Sequence, residues 1–227
     1  MVPGHRQCRY NKTAWNCRNG ITILDDSRQD GGANKGTITR NNAGDLVSGH
    51  RRKNIKPPGA CDHNWNGADH RKSVAGELRD PANLDFRPRA GSALIDAGVL
   101  VKGVIGQVVG KAPDIGAYET GAKRYWIPGR QTPQASTPIP PDGSKTARAN
   151  ADLMFLEGYK AVKHTVYFGA APDKLVRKVT LTDSNIFSPG PLRPGGKYYW
   201  RADAVGPDGE VTPGDLWRFE VESKVRK

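Results

Sequence analysis

An all-β chain, a solenoid of short stacked strands followed by a β-sandwich, is the fold that three features of the sequence predict. Glycine (27) and proline (17) fill about a fifth of the 227 residues while Met appears twice, which favours turns and short strands over long helices. Short β-branched runs alternate with Asn- and Gly-rich corners in the first part. From residue 144 onward the pattern alternates with a period of two, as in Tyr198/Trp200/Ala202/Ala204 against Tyr199/Arg201/Asp203.

Taken in chain order, residues 19–24 (Asn-Gly-Ile-Thr-Ile-Leu) and 36–39 (Gly-Thr-Ile-Thr) read as strands, punctuated by Asp30-Gly31-Gly32 and Asn41-Asn42-Ala43-Gly44. A coil that makes a few strand residues, turns and stacks on its neighbour needs this alternation. An irregular region of another β fold is the competing reading. The run Gly103-Val104-Ile105-Gly106-Gln107-Val108-Val109-Gly110 lacks the Lys-Ser/Thr of a phosphate loop and reads as strand and turn. Residues 128–143, ending Pro138-Ile139-Pro140-Pro141-Asp142-Gly143, read as an extended Pro-rich connector. Tyr125 and Trp126 just before it either pack an interface or stack on sugar rings. Beyond it, Ala151–Leu156, Lys163–Gly169, Leu175–Thr182, Ile186–Pro189, Gly196–Val205 and Leu216–Glu222 are the expected strands. Turns at Ala171-Pro172-Asp173, Pro189-Gly190-Pro191, Pro194-Gly195-Gly196 and Pro207-Asp208-Gly209 fit the rhythm of a small sandwich.

Charge narrows the partners. The chain carries +12, distributed as 21 Lys and Arg against 12 Asp and Glu over residues 1–130, and 14 against 11 over residues 131–227. The excess of +9 in the first stretch attracts polyanions, and the potential is expected to concentrate there. Nucleic acid is not expected, because no RNP aromatic signature, zinc-finger spacing or helix-turn-helix pattern appears. No run of about 18 apolar residues is long enough to span a membrane. Met1-Val2-Pro3-Gly4-His5-Arg6 lacks the apolar core of a signal peptide, so an export signal is expected on a longer parent chain or already removed. Cys8, Cys17 and Cys61 fit one disulfide plus a free thiol, or three buried thiols. Cys61, His63 and His70 match no familiar zinc spacing, so no metal is expected.

Residues 80–119 hold the most specific wording: Asp80-Pro81-Ala82-Asn83-Leu84-Asp85-Phe86-Arg87-Pro88, then Gly91-Ser92-Ala93-Leu94-Ile95-Asp96-Ala97-Gly98, then Ala112-Pro113-Asp114-Ile115-Gly116-Ala117-Tyr118-Glu119. This resembles the terminal segment of right-handed parallel β-helix proteins of the pectate-lyase-like superfamily. The resemblance implies a cap: Phe86, Leu94, Ile95, Ile115 and Tyr118 plug the solenoid end, and Asp85, Asp96 and Asp114 accept backbone N–H bonds. Val166-Tyr167-Phe168-Gly169, Gly195 to Ala204 and Gly214-Asp215-Leu216-Trp217-Arg218-Phe219 resemble a fibronectin-III-like module of bacterial carbohydrate-active proteins. Phe155 stands where that family usually has Trp. Such modules serve as spacers or adaptors.

The expected organisation is therefore terminal coils of a right-handed parallel β-helix and their cap over residues 1–127, the connector over 128–143, and a fibronectin-III-like β-sandwich over 144–227. The resemblance implies a secreted or surface-exposed, monomeric C-terminal portion of a bacterial polysaccharide-active protein, lyase-like on an acidic glycan. The alternative is a non-catalytic pair of modules for glycan binding or surface display. In related enzymes a Lys or Arg removes the C5 proton and cations stabilise the anion that forms. Those residues belong to middle coils, so no catalytic residue is assigned. Within this chain His50, Arg51, Arg52, Lys53, His63, Trp65, His70 and Arg71 are the candidate substrate-binding residues, since Arg grips carboxylate or sulfate in bidentate fashion. A solvated basic loop is the bland alternative. No cofactor is expected; calcium is compatible with the resemblance, though no specific motif calls for it.

Overall fold

A computed structural model of the chain describes residues 8–23, 36–105 and 108–223. The Asp30-Gly31-Gly32 turn and part of the glycine run at 103–110 lie outside them. The described residues are mostly β, with one short helix and two 3-10 turns. They divide into two compact units, residues 1–81 with 86–122, and residues 82–85 with 123–227.

In the first unit the chain visits three ladders in turn and then visits them again. Strands β1 (Cys8–Tyr10), β4 (Ile38–Arg40) and β7 (Ala60–Asp62) stack in parallel, with Cys8 opposite Ile38 and Ile38 opposite Ala60. Strands β2 (Thr13–Ala14), β5 (Ala43–Gly44) and β8 (Trp65–Asn66) form the second parallel stack. β3 (Ile21–Thr22) and β6 (Val47–Ser48) form the third. Helix α1 (Gly67–His70) occupies the next position along the chain, so that ladder ends at two strands. Ala43, Val47, Trp65, Val74 and Leu78 fill the interior together with Leu94 and Ile115.

The corner between the first two ladders repeats in three successive turns. Asn11, Asn41 and His63 each take a left-handed backbone (φ 48°, 56° and 49°), which Asn tolerates better than most residues. The residue after each lines the turn. Asn42, fully buried, donates from Nδ2 to the carbonyls of Arg9 (2.9 Å) and Arg40 (3.0 Å) and to Asn64 Oδ1 (2.9 Å), while its Oδ1 receives Lys12 N–H (3.1 Å). Asn64 Nδ2 donates to the carbonyls of Thr39 and Asp62, both at 2.8 Å. Three turns are thus tied by side-chain amides.

Residues 91–120 close over these corners. Asn41 pairs with the Val99 backbone through both amide atoms (2.7 and 2.9 Å). Gly116 N–H reaches Asn41 O at 2.9 Å; at φ 114° and with Thr13 Oγ1 at 2.7 Å from any added Cβ, the position requires glycine. Strands β9 (Leu78–Asp80) and β10 (Asp85–Pro88) pair with each other, and Phe86 packs against the cluster that buries Leu94 and Ile115. Ile95 and Tyr118 are half-buried.

The second unit is a two-sheet sandwich. β11 (Ser136–Ile139), β13 (Leu153–Leu156) and β16 (Ile186–Phe187) form one antiparallel sheet. The other runs β12 (Ser144–Ala147), β19 (Trp217–Val221), β17 (Lys197–Val205), β14 (Lys163–Gly169) and β15 (Val176–Leu181), with β18 (Val211–Thr212) paired to β17. A cis Ile139–Pro140 bond lies where the chain leaves one sheet for the other, and β12 then runs parallel to β19. Alternation sends Val166, Trp200, Ala202, Trp217 and Phe219 inward. Trp200 and Trp217 meet edge-on with ring centroids 4.6 Å apart, and Phe155 fills its place fully buried beside them.

The stretch 128–143 differs from the expected connector. It carries β11, and the second unit already begins at Lys123. Tyr125 and Ile127 are buried. Asn185 clamps the Tyr125 backbone from both sides, receiving its N–H at 2.8 Å and donating to its carbonyl at 2.7 Å. Prolines here edge a sheet, a position that needs no N–H donor. Trp126 is 69% exposed, so the two neighbouring aromatics have opposite fates.

His164 gives the sandwich a pH signature. It is buried, its Nε2 accepts Gly158 N–H at 3.0 Å, and its ring tilts against Phe155. Burial, with Arg124 nearby, lowers it from 6.5 to about 4. Unfolded chains therefore bind a proton below 6.5 that the native state refuses until about 4. Stability is present in full above that window and falls as pH drops through it, by about 3 kcal/mol in total. An NMR titration should place the His164 midpoint near 4, and His164→Gln should flatten the pH dependence of sandwich melting between 6.5 and 4. A midpoint near 6.5 contradicts this.

Candidate functional site

The loop after β6, the His63–Asn64 corner and α1 enclose a cleft of about 380 Å³ in the first unit. It is lined by Val47, Asn54, Lys56, Pro57, Cys61, Asp62, His63, Asn64, Asn66 and Asp69. Each lining group has a local reason to be there. Ser48 Oγ receives the N–H groups of His50 and Ile55 (both 3.0 Å) and lies 2.5 Å from the Lys53 carbonyl, which folds the loop back on β6. Asn66, on the strand end, receives Val47 N–H (3.0 Å) and donates to Asn54 Oδ1 (2.9 Å) and Asp69 Oδ2 (3.1 Å). Asn54 in turn donates to Asp69 Oδ1 at 2.5 Å. The result is a closed amide–carboxylate network on one wall.

The other wall is ionic. Arg40 grips Asp62 in bidentate geometry, Nε to Oδ1 at 2.5 Å and Nη2 to Oδ2 at 2.7 Å. His63 Nδ1 sits 3.0 Å from the same carboxylate. The Arg40 hydrogen bonds hold Asp62 down to about 2, against the opposing cost of burial and with help from His63. Burial pushes the Cys61 thiol up, so it is a poor nucleophile at neutral pH. All three cysteines are free, with Cys8 and Cys17 exposed. Among the described residues no three His, Cys, Asp or Glu side chains converge in a way that would hold a metal ion.

The residues singled out from sequence fare differently. His63 lines the cleft and so does the neighbouring Lys56. Arg51, Arg52 and Lys53 are exposed on the loop but are not lining residues. His50 is half-buried, its Nδ1 receiving Arg52 N–H at 3.1 Å. Arg71 is exposed and caps α1 with a left-handed backbone (φ 52°). Trp65 requires a correction: it is 4% exposed in the coil interior, and His70 stacks on its ring at 5.2 Å. A solvent-facing sugar cannot reach it. Asn54 and Asp62 were missed. Asp62 ends β7 and the chain turns at His63 before β8, so no strand periodicity links Asp62 to Asn66.

Chemically, the cleft offers amide donors and acceptors, two carboxylates, one histidine and one lysine. That set suits hydroxyl-rich ligands. The acidic side chains of residues 96–119 are already committed: Asp96 receives Lys111 and Ala112 N–H (2.7 and 3.1 Å), Asp114 receives Asp96 and Thr120 N–H (2.8 and 2.6 Å), and Glu119 receives Asp114 N–H (2.9 Å).

The second unit is a fibronectin type III-like β-sandwich, by its three-stranded sheet facing a longer one and its N-terminal strand divided between the two. The first is a stack of parallel strands closed by a buried, hydrogen-bonded segment. No family model matches the chain, and no curated protein matches it. Structural neighbours include an Fn3-like protein from Clostridium thermocellum, 15% identical, at a TM-score of 0.33 over 43% of this chain and 100% of that one. The fibronectin type-III domain of human fibronectin type III domain containing protein 3 is another, 11% identical, at a TM-score of 0.31 over 43% of this chain and 93% of that one.

Asp62 supplies a direct check. Its native carboxylate stays ionised to about pH 2 whereas an unfolded one protonates near 3.8, so its stabilisation is present above pH 4 and is lost as pH falls from 4 to 2. With the side chains 29% and 38% exposed, solvent screening keeps that contribution to about 1 kcal/mol or less. Arg40→Gln should return the Asp62 carboxyl titration toward the ordinary carboxylate range by ¹³C NMR. An unchanged midpoint would show that the ion pair does not set it.

Proposed function

We propose that this chain is the C-terminal portion of a secreted polysaccharide-active β-helix protein acting on an acidic glycan. In this reading the three ladders are the last coils of a right-handed parallel β-helix, residues 80–119 cap them, and the sandwich is an accessory module. The observation that carries the reading is the threefold corner at Asn11, Asn41 and His63 with its Asn42–Asn64 side-chain tie, met by the very segment whose wording resembles the superfamily's cap. The chain's own task is to hold substrate. The amide–carboxylate cleft binds sugar hydroxyls, and the exposed Arg51, Arg52 and Lys53 on its outer loop attract the polymer's carboxylate or sulfate groups.

Elimination from a uronate needs a base at C5 and cations on the carboxylate. Lys56 is the one lining cation of the cleft, and Asp62 and Asp69 beside it would oppose a developing negative charge. The catalytic step is therefore assigned to coils outside this chain. The commitment of Asp96, Asp114 and Glu119 to backbone N–H groups also favours a second reading, a non-catalytic glycan-binding or surface-display pair. Alginate, pectate, chondroitin and ulvan should each be incubated with the chain and also cast into native gels. Retardation by at least one acidic glycan without new ultraviolet absorbance from an unsaturated product is the expected result. Retardation by none contradicts the proposal. Product formation that Lys56→Ala abolishes would move catalysis into this chain.

A further inference from the structure

We infer that the outer face of the six-stranded sheet of the sandwich is itself a binding surface for an anionic polysaccharide, an inference that rests on the acidic-glycan reading but assigns the contact to the second unit. Alternation on β17 buries Trp200 and Ala202 and turns Lys197, Tyr199 and Arg201 outward. The register fixes their neighbours: Tyr199 lies opposite Arg218 on one side and Gly169 on the other, and Arg201 lies opposite Tyr167. Tyr167 in turn lies opposite Arg177 on β15. Lys145 on β12 completes a shallow cleft of about 150 Å³ with Lys197, Tyr199 and Arg218.

Charge segregates onto this face. Lys145, Lys163, Arg177, Lys197, Arg201 and Arg218 stand against Asp203 and Glu220, an excess of four. Glu220 is matched with Lys197 at 3.3 Å and Asp203 with Arg201 at 3.0 Å. No ion pair ties Lys145, Arg177 or Arg218 among the described residues. A count along the chain makes this stretch look nearly neutral, yet strand register lines up six cations against two anions on this side of the sheet.

The face also has a stacking platform. Tyr199 has a glycine for its cross-strand neighbour on β14, so no side chain crowds its ring from that strand. Tyr167 is already covered, with the Arg201 guanidinium 4.7 Å from its centroid. One open aromatic ring flanked by cations fits a pyranose bearing a carboxylate or sulfate, its apolar face on Tyr199 and its anion on Arg218 or Lys145. Single-stranded nucleic acid is the poorer fit, because its recognition modules stack two or three successive bases on separate aromatics.

The test uses the full chain, native gels containing polygalacturonate or chondroitin sulfate, and fluorescence anisotropy with duplex and single-stranded DNA. The triple variant K145Q/K197Q/R218Q should weaken glycan retention by about tenfold and flatten its salt dependence. Tyr199→Leu, a surface change with the parent's melting temperature, should weaken glycan retention severalfold and leave DNA binding unchanged. The control R51Q/R52Q/K53Q should cost less than the face triple. If the face triple is retained like the parent while the control loses retention, this inference fails and the acidic-glycan reading survives. A parent retained by neither glycan defeats the reading itself. Preference for DNA, lost together with glycan in Tyr199→Leu, makes the face a nucleic-acid surface and overturns the inference.

Discussion

The buried carboxamide of Asn42 is the interaction on which the first unit depends. A stack of two- and three-residue strands offers few backbone hydrogen bonds per coil, and every corner leaves polar groups that must be satisfied away from water. Asn42 serves four of them at once, reaching the coil before through Arg9 and Lys12 and the coil after through Asn64. Asn64 repeats the device one coil on. A left-handed residue just ahead of each amide aims the chain around the corner. Register follows: Thr13, Ala43 and Trp65 come into line because the corners do.

The same constraint shapes the surfaces. Asn64 and Asn66 spend their amides on neighbouring strands and corners, and Asp62 and Asp69 line the cleft beside them. The sandwich follows a different rule. Its order comes from apolar packing around Trp200, Trp217 and Phe155, and alternation along the first half of β17 leaves Lys197, Tyr199 and Arg201 for the solvent side. Burying such aromatics contributes several kcal/mol each, on the order of the whole stability of a small domain. The outer face is then free to carry charge at little structural cost.

Much of this was legible in the sequence, and the gaps have physical causes. The strands Lys163–Gly169 and 197–205 follow from alternation, because two-sided sheets imprint it. The segment 80–119 was legible as wording, and its Asp96 and Asp114 do take backbone N–H groups. Asn41-Asn42 was legible only as a turn: that both amides are buried depends on partners distant in sequence, Val99 for Asn41 and Arg9 and Asn64 for Asn42. Trp65 looked like a sugar platform amid His, Asn and Arg, but its strand face points inward and alternation over two residues is too short to reveal that. The proline-rich stretch 128–143 looked like a connector, whereas Ser136 and Ile139 within it pair with Leu156 and Met154 of β13. Charge misled most. Linear counts assign +9 to one stretch and +3 to the other, while strand register, invisible to a count, lines up cations of the second stretch on a single face.

The central claim is that the Asn42–Asn64 tie holds the coils together, and native-state hydrogen exchange reads it within the first unit alone. Ala43 N–H is bonded to Lys12 O and Trp65 N–H to Asn42 O, both at 2.8 Å. Leaving the corner's buried groups unsatisfied costs about 2–3 kcal/mol. Protection of the Ala43 and Trp65 amides should therefore fall by roughly 30- to 150-fold in Asn42→Ala, and by less than the product of the single effects in Asn42→Ala/Asn64→Ala. Protection within a few tenths of a kcal/mol of the parent in Asn42→Ala, or single effects that simply multiply, would contradict the account.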